Sequence, residues 1–160
     1  MPAIARVMIV DQLGVQSGLS ASVQSQGFET VSETVAISPS SVSAKHPDLV
    51  VIDSRSDRDT GLALTRALKN DPETEATPVV LIDDDMSADK QRAGLDAGAT
   101  DVIAAPSNDA AFGFRVRALV RLEVMRAELG RRRNIMERFA IDLPPADLDH
   151  LAVHGSQILL

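Results

Sequence analysis

The stretch Pro47-Asp48-Leu49-Val50-Val51-Ile52-Asp53 constrains the fold more than any other part of the chain. Four consecutive apolar residues follow a proline and an acid and stop abruptly at another acid. A strand buried on both faces reads this way, and such strands belong to parallel sheets covered by helices on either side. Asp53 then stands at the carboxyl end of the strand, where the ligand crevice of an open α/β sheet lies.

Two further runs repeat the pattern. Arg-Val-Met-Ile-Val at 6–10 leads into Asp11 and Gln12, and Pro-Val-Val-Leu-Ile at 78–82 leads into Asp83, Asp84 and Asp85. Residues 28–31 and 100–104 give a second and a fifth strand. Helices are expected at 14–26 (Val15, Leu19 and Val23 four apart, stopped by Gly27), at the serine-rich 38–45, at 60–70 (Leu62, Leu64, Leu68, ended by Asp71 and Pro72) and at 87–98 with Ser87 as N-cap. Five strands alternating with helices predict a doubly wound parallel sheet. The acids at 11, 53 and 83 are expected to gather at one edge, where a hard cation such as Mg²⁺ takes oxygen ligands. Acids after strands also serve as helix caps and loop residues, so each one alone carries both readings.

From 108 to 139 only Gly113 and Gly130 interrupt a composition of helix formers, which predicts one helix of about 30 residues and about 45 Å, with Gly130 as an alternative end. Phe112, Val116, Leu119 and Val120 suit packing on the sheet. Leu122, Met125, Leu129, Met136 and Phe139 continue at spacings of three and four, with Arg132 breaking the stripe. A stripe that outlasts the domain needs a partner, and pairing of two such helices in a homodimer is the simplest. Glu128 and Arg132 form a favourable i,i+4 pair. Arg131, Arg132 and Arg133 read as a solvated helix face, with an anion or nucleic-acid site as the alternative.

The net charge of −7 and an aromatic content of four phenylalanines argue against non-specific nucleic-acid binding and base stacking. No apolar run approaches the roughly 18 residues of a membrane span, and the absence of cysteine fits a cytoplasmic protein. The chain shows no glycine-rich phosphate loop, Ser-His-Asp set or His/Cys cluster, and His46, His150 and His154 lack ligand spacing. A small Mg²⁺-dependent enzyme using the acid cluster is therefore a distant alternative, and no enzymatic activity is expected.

Taken in order, these positions resemble the receiver domain of two-component response regulators (CheY-like), with a flavodoxin-like (βα)5 fold, sheet order 2-1-3-4-5 and here an extended C-terminal helix. The resemblance covers residues 4–125. It rests on Val10-Asp11, on 47–53, on Gly61, on Lys-Asn-Asp-Pro at 69–72, on 78–82, on Gly-Leu-Asp-Ala-Gly-Ala-Thr-Asp at 94–101 and on Pro106. Phe-Gly-Phe-Arg-Val-Arg-Ala-Leu-Val-Arg at 112–121, with the long helix, is similar to the first receiver of tandem-receiver diguanylate cyclases of the PleD type.

By that resemblance Asp53 matches the aspartate that accepts a phosphoryl group from a histidine kinase. Asp11 and the backbone carbonyl of Arg55 match ligands of the required Mg²⁺. Gln12 holds the place of a second metal-binding acid, Asp83 that of a threonine or serine that hydrogen-bonds the phosphoryl group, and Ala105 that of a lysine that pairs with it. Val102 replaces an aromatic that rotates inward on activation, and Asp57 and Thr60 break the usual loop after the acceptor. The expectation is a degenerate receiver acting by protein contact, with a kinase or an output domain as partner, no nucleic acid and no membrane. The alternative is a phosphorylatable receiver in which Asp83 helps bind the cation and Arg55 or Arg58 restores the lost positive charge. The expected division is 1–125 receiver-like, 126–140 helix extension and 141–160 linker or tail. Pro144 and Pro145 suit a linker, and Gly-Ser-Gln-Ile-Leu-Leu at 155–160 resembles the opening of another first strand or a docked or disordered tail.

Overall fold

The computed structural model describes residues 5–11, 18–105 and 109–141, with backbone alone for Asp109 and 138–141. It divides into two units, Met1–Arg121 and Leu122–Leu160. The strands are β1 (Arg6–Asp11), β2 (Glu29–Thr34), β3 (Leu49–Asp53), β4 (Val79–Asp83) and β5 (Asp101–Ala104). The helices are α1 (Gly18–Gln24), α2 (Pro39–Lys45), α3 (Arg58–Asn70), α4 (Ala88–Asp96) and α5 (Asp109–Ile141). All strand pairs are parallel and the order is β2-β1-β3-β4-β5. The expected flavodoxin-like sheet is thus the observed one.

Strand alternation sorts the core into two layers. Met8, Val10, Val50, Ile52, Val79, Leu81 and Val102 pack with Val42 of α2, Leu62, Leu64 and Leu68 of α3, and Ala97 just after α4. Val7, Ile9, Leu49, Val51, Val80, Ile82 and Ile103 pack with Leu19 and Val23 of α1 and with Phe112, Val116 and Val120 of α5. Every residue of β3 and β4 is buried, which explains their uninterrupted apolar sequence.

Several boundaries differ from the sequence expectation for local reasons. The second strand continues to Thr34 because Ser32, Glu33 and Thr34 lie on an edge strand that pairs only with β1, so no apolar run marks them. Helix α3 starts earlier than residue 60: the Asp57 carboxylate accepts the Thr60 N–H at 3.1 Å and the Thr60 hydroxyl at 2.6 Å, capping the helix from Arg58. Those bonds, the hydroxyl's first, hold the Asp57 carboxyl below its ordinary pKa. Ser87 precedes α4, but its side chain makes no capping bond. Helix α5 passes through Gly130 unbroken. The N-terminal part of the first expected helix, with Val15, lies outside the described residues.

Candidate functional site

The last registered pair between β1 and β3 is Val10 with Ile52, so Asp11 and Asp53 come next, side by side at the carboxyl ends of adjacent strands. By alternation both continue the sheet face that packs on α1 and α5. Asp53 itself is in register with Ile82, which puts Asp83 one residue further and on the opposite face, toward α3 and α4. The three acids are all buried, at 9%, 8% and 6% exposure. They share an edge as expected, but the pleat separates Asp83 from the other two. Among the described residues no group of three acidic or histidine side chains is placed to hold a metal ion.

Each buried acid at the ends of β3 and β4 has an arginine. The Arg55 guanidinium spans the Asp53 carboxylate, with Nε donating to Oδ1 at 2.8 Å and Nη2 to Oδ2 at 2.6 Å, and the Arg55 backbone N–H reaches Oδ1 at 3.2 Å. This is the bidentate fork that makes arginine–carboxylate pairs strong. It raises the arginine's pKa: the hydrogen bond to Asp53 is the largest cause, partly opposed by burial and reinforced by the charges of Asp53 and Asp84. Arg58, in the first turn of α3, pairs through Nη1 with Asp83 Oδ2 and donates through Nη2 to the Lys90 carbonyl in α4.

The β4–α4 loop is wired onto the same acid. Asp83 Oδ1 accepts the Asp85 N–H at 3.0 Å, Asp85 Oδ1 accepts the Ser87 N–H at 2.9 Å, and Lys90 pairs with Asp85 at 2.8 Å. Lys90 foremost, then Ser87, hold the Asp85 carboxyl down at about 2. On the far side the Ala105 N–H donates to the Asp83 carbonyl at 2.9 Å.

No family model matches the sequence. The response regulator PleD of Caulobacter vibrioides is 29% identical over 130 residues, which is 80% of this chain and 29% of PleD. A response regulator from Desulfuromonas acetoxidans shares the fold with a TM-score of 0.60 and 25% identity, over 74% of this chain and 98% of that one. The chain is homologous to response-regulator receivers. The chemotaxis response regulator CheY4 of Vibrio cholerae, at 24% identity, shows the same CheY-like fold with a TM-score of 0.58 over 74% of this chain and 99% of its own. The chain spans less than a third of the length of PleD.

In this receiver fold, Val102 is a core residue: it is 6% exposed, and a Cβ added to Gly94 of α4 would lie 2.5 Å from its Cγ2. Ala105 is partly buried against the α1/α5 layer. Gln12 and Pro106 lie outside the described residues. The Arg55 guanidinium, rather than only its backbone, meets Asp53. Sequence reasoning named Arg55 and Arg58 as sources of charge but not the Arg58 bond to Lys90, which depends on where α4 comes to rest.

In the second unit Leu122, Val124, Met125, Leu129, Ile135 and Met136 are all exposed, between 42% and 71%. Phe139 is described by its backbone only. The basic triplet is locally balanced: Arg131 and Arg132 pair with Glu128 at 3.2 and 2.9 Å, and Arg133 with Glu137 at 3.5 Å. No helix among the described residues is long and apolar enough to cross a membrane.

Proposed function

We propose that this chain is a receiver-like module of two-component signalling that works by protein contact, without effective phosphorylation of Asp53. The observation that carries this reading is the Arg55 fork, which engages both oxygens of Asp53, the carboxylate that the resemblance matches to the acceptor. Receiver domains typically bind Mg²⁺ at their acidic pocket, but here the residues as they stand do not fit a divalent ion. Asp53 is committed to an arginine, and Asp83 is paired on the other side of the sheet. Ala105 supplies no cation, and a missing unit charge about 5 Å from a phosphoryl group forfeits ~3 kcal/mol at an effective dielectric near 20. Arg58 offsets much of the repulsion that Asp83 would otherwise add.

The module is proposed to comprise residues 1–125, followed by a helix extension over 126–140 and a linker or tail over 141–160. Its partners are a second copy of the chain, through Leu122, Met125, Leu129, Met136 and Phe139, and an output domain or kinase. No catalytic activity of its own is assigned. A second reading keeps Asp53 as phosphoryl acceptor, with Asp11 and the Arg55 carbonyl on Mg²⁺; the guanidinium beside Asp53 favours it as a replacement for the lysine. Incubation with acetyl phosphate and Mg²⁺ separates the two. We expect no adduct by intact-mass spectrometry, and a stable gain of one phosphoryl mass that Asp53→Asn abolishes would establish the second reading.

A further inference from the structure

We propose that the outward face of α5 at Phe114, Arg117, Ala118 and Arg121 is a docking surface for a partner protein that presents an acidic segment bearing apolar residues. This rests on the reading of the chain as a module that works by protein contact, and it adds the place and the chemistry of one such contact. The helix fixes the face. Phe112, Val116 and Val120 are buried in the sheet layer, and a Cβ added to Gly113 would lie 2.6 Å from the Ser22 carbonyl oxygen near the end of α1. Residues 114, 117, 118 and 121 follow at i, i+3, i+4 and i+7 on the side turned away from those contacts, and all four are exposed. Phe114 is 62% exposed, and among the described residues of Met1–Arg121 only Leu95 is another large apolar side chain left to solvent.

Charge identifies the occupant. Arg115 faces Asp101 of β5 at 3.9 Å, and from Arg126 to Arg133 each arginine of α5 pairs with a glutamate of the same helix. Arg117 and Arg121 have no such acid among the described residues, because the positions three and four away from either one hold no carboxylate. They stand instead one turn from each other, an i,i+4 spacing at which like charges destabilise a helix. A partner carboxylate between them relieves that repulsion, and a guanidinium takes a carboxylate through two parallel bonds. Arginine beside an exposed aromatic is also the composition of interface hot spots. Residues 1–108 carry eight Lys and Arg against 16 Asp and Glu, whereas Asp109–Arg121 carries three arginines against one acid. The stripe is thus a cationic island about 10 Å long on an acidic body. A nucleic-acid strand or an anionic bilayer extends past it onto repelling acids within a Debye length of about 8 Å. An acidic protein segment of about two turns does not, and a contact that small suits a transient signalling encounter.

The probe is a synthetic helical peptide of about 15 residues with leucine at i, i+3, i+4 and i+7 and glutamate at the flanking positions. It is titrated into the full chain and followed by amide chemical shifts. The expected result is a set of shifts grouped around Phe114–Arg121, with affinity falling about tenfold or more in Phe114→Ala and in Arg117→Glu/Arg121→Glu. The same peptide with lysine in place of glutamate should bind the charge-reversed variant and not the wild type, which guards against a misfolded variant. Shifts that fall elsewhere, or affinities unchanged in both variants, overturn the proposal. So does a DNA duplex or a phosphatidylglycerol vesicle that binds through Arg117 and Arg121 where the glutamate peptide does not. A dimer that Phe114→Ala converts to single copies in light scattering assigns the face to a second copy and overturns it as well. No peptide binding and no phosphoryl adduct on Asp53 would sink this inference and leave the proposed function standing. Peptide binding at Phe114 together with such an adduct would do the reverse.

Discussion

Arg58 reaches from the first turn of α3 to an acid that is 6% exposed, and its second nitrogen holds the first turn of α4. Breaking a buried ion pair from one side strands a charge, whereas removing both partners does not. Arg58→Ala should therefore destabilise the fold by about 3 kcal/mol in urea denaturation, and Arg58→Ala/Asp83→Thr by clearly less. Equal losses in the two variants would show that Arg58→Ala strands no costly charge on Asp83. The positions of Asp11, Asp53 and Asp83 were legible in the sequence because each ends an apolar run. Their division between two sheet faces was not, because it follows from the registers Val10 with Ile52 and Asp53 with Ile82, which only strand pairing reveals. The arginine partners were legible as nearby charge but not as geometry, since a loop of a few residues decides which oxygen a long side chain meets.

At the scale of the element, the β4–α4 connection is held by polar bonds where α4 buries only Gly94 of its own nine residues. Gly94 is needed for a close approach: a Cβ there would press on Val102 at 2.5 Å and on Leu81 at 3.2 Å, so Gly94→Ala should cost about 1–3 kcal/mol by chemical denaturation. Val102→Ala should relieve part of that cost when combined with it. The loop also carries a pH signature. Asp85 has a folded pKa of about 2, below its ordinary value, so its contribution is present above about pH 4 and is lost as pH falls toward 2. Carboxyl-carbon NMR should show a midpoint near 2 for Asp85, moving upward in Lys90→Ala; an unmoved midpoint would remove Lys90 as the chief cause. Strong apolar periodicity made β3, β4 and the sheet-facing part of α5 readable in the sequence. The end of β2 and the start of α3 were not, because an edge strand and a carboxylate cap leave no apolar mark.

At the scale of the whole molecule, what remains to be explained is an apolar stripe with no partner in the described chain. Placing Leu122, Leu129 and Met136 at heptad position a puts Met125, Arg132 and Phe139 at d, Glu128 at g and Arg133 at e. In a parallel pair of these helices, g of one faces the following e of the other, so Glu128 meets Arg133 of the second copy twice across the symmetry axis. The antiparallel alternative aligns e with e and brings Arg126 and Arg133 into like-charged company. Arg132 at d weakens the seam, and its bond to Glu128 of the same helix at 2.9 Å lowers that cost. The exposed Leu129 and Met136, at 66% and 71%, are the positions whose burial a dimer would gain most from. Light scattering on the full chain should thus give the mass of two copies at micromolar concentration, and Leu129→Glu/Met136→Glu should give one copy with the receiver fold intact by circular dichroism. A single-copy mass for the wild type would refute the seam, and a variant that stays dimeric would move the interface off this helix.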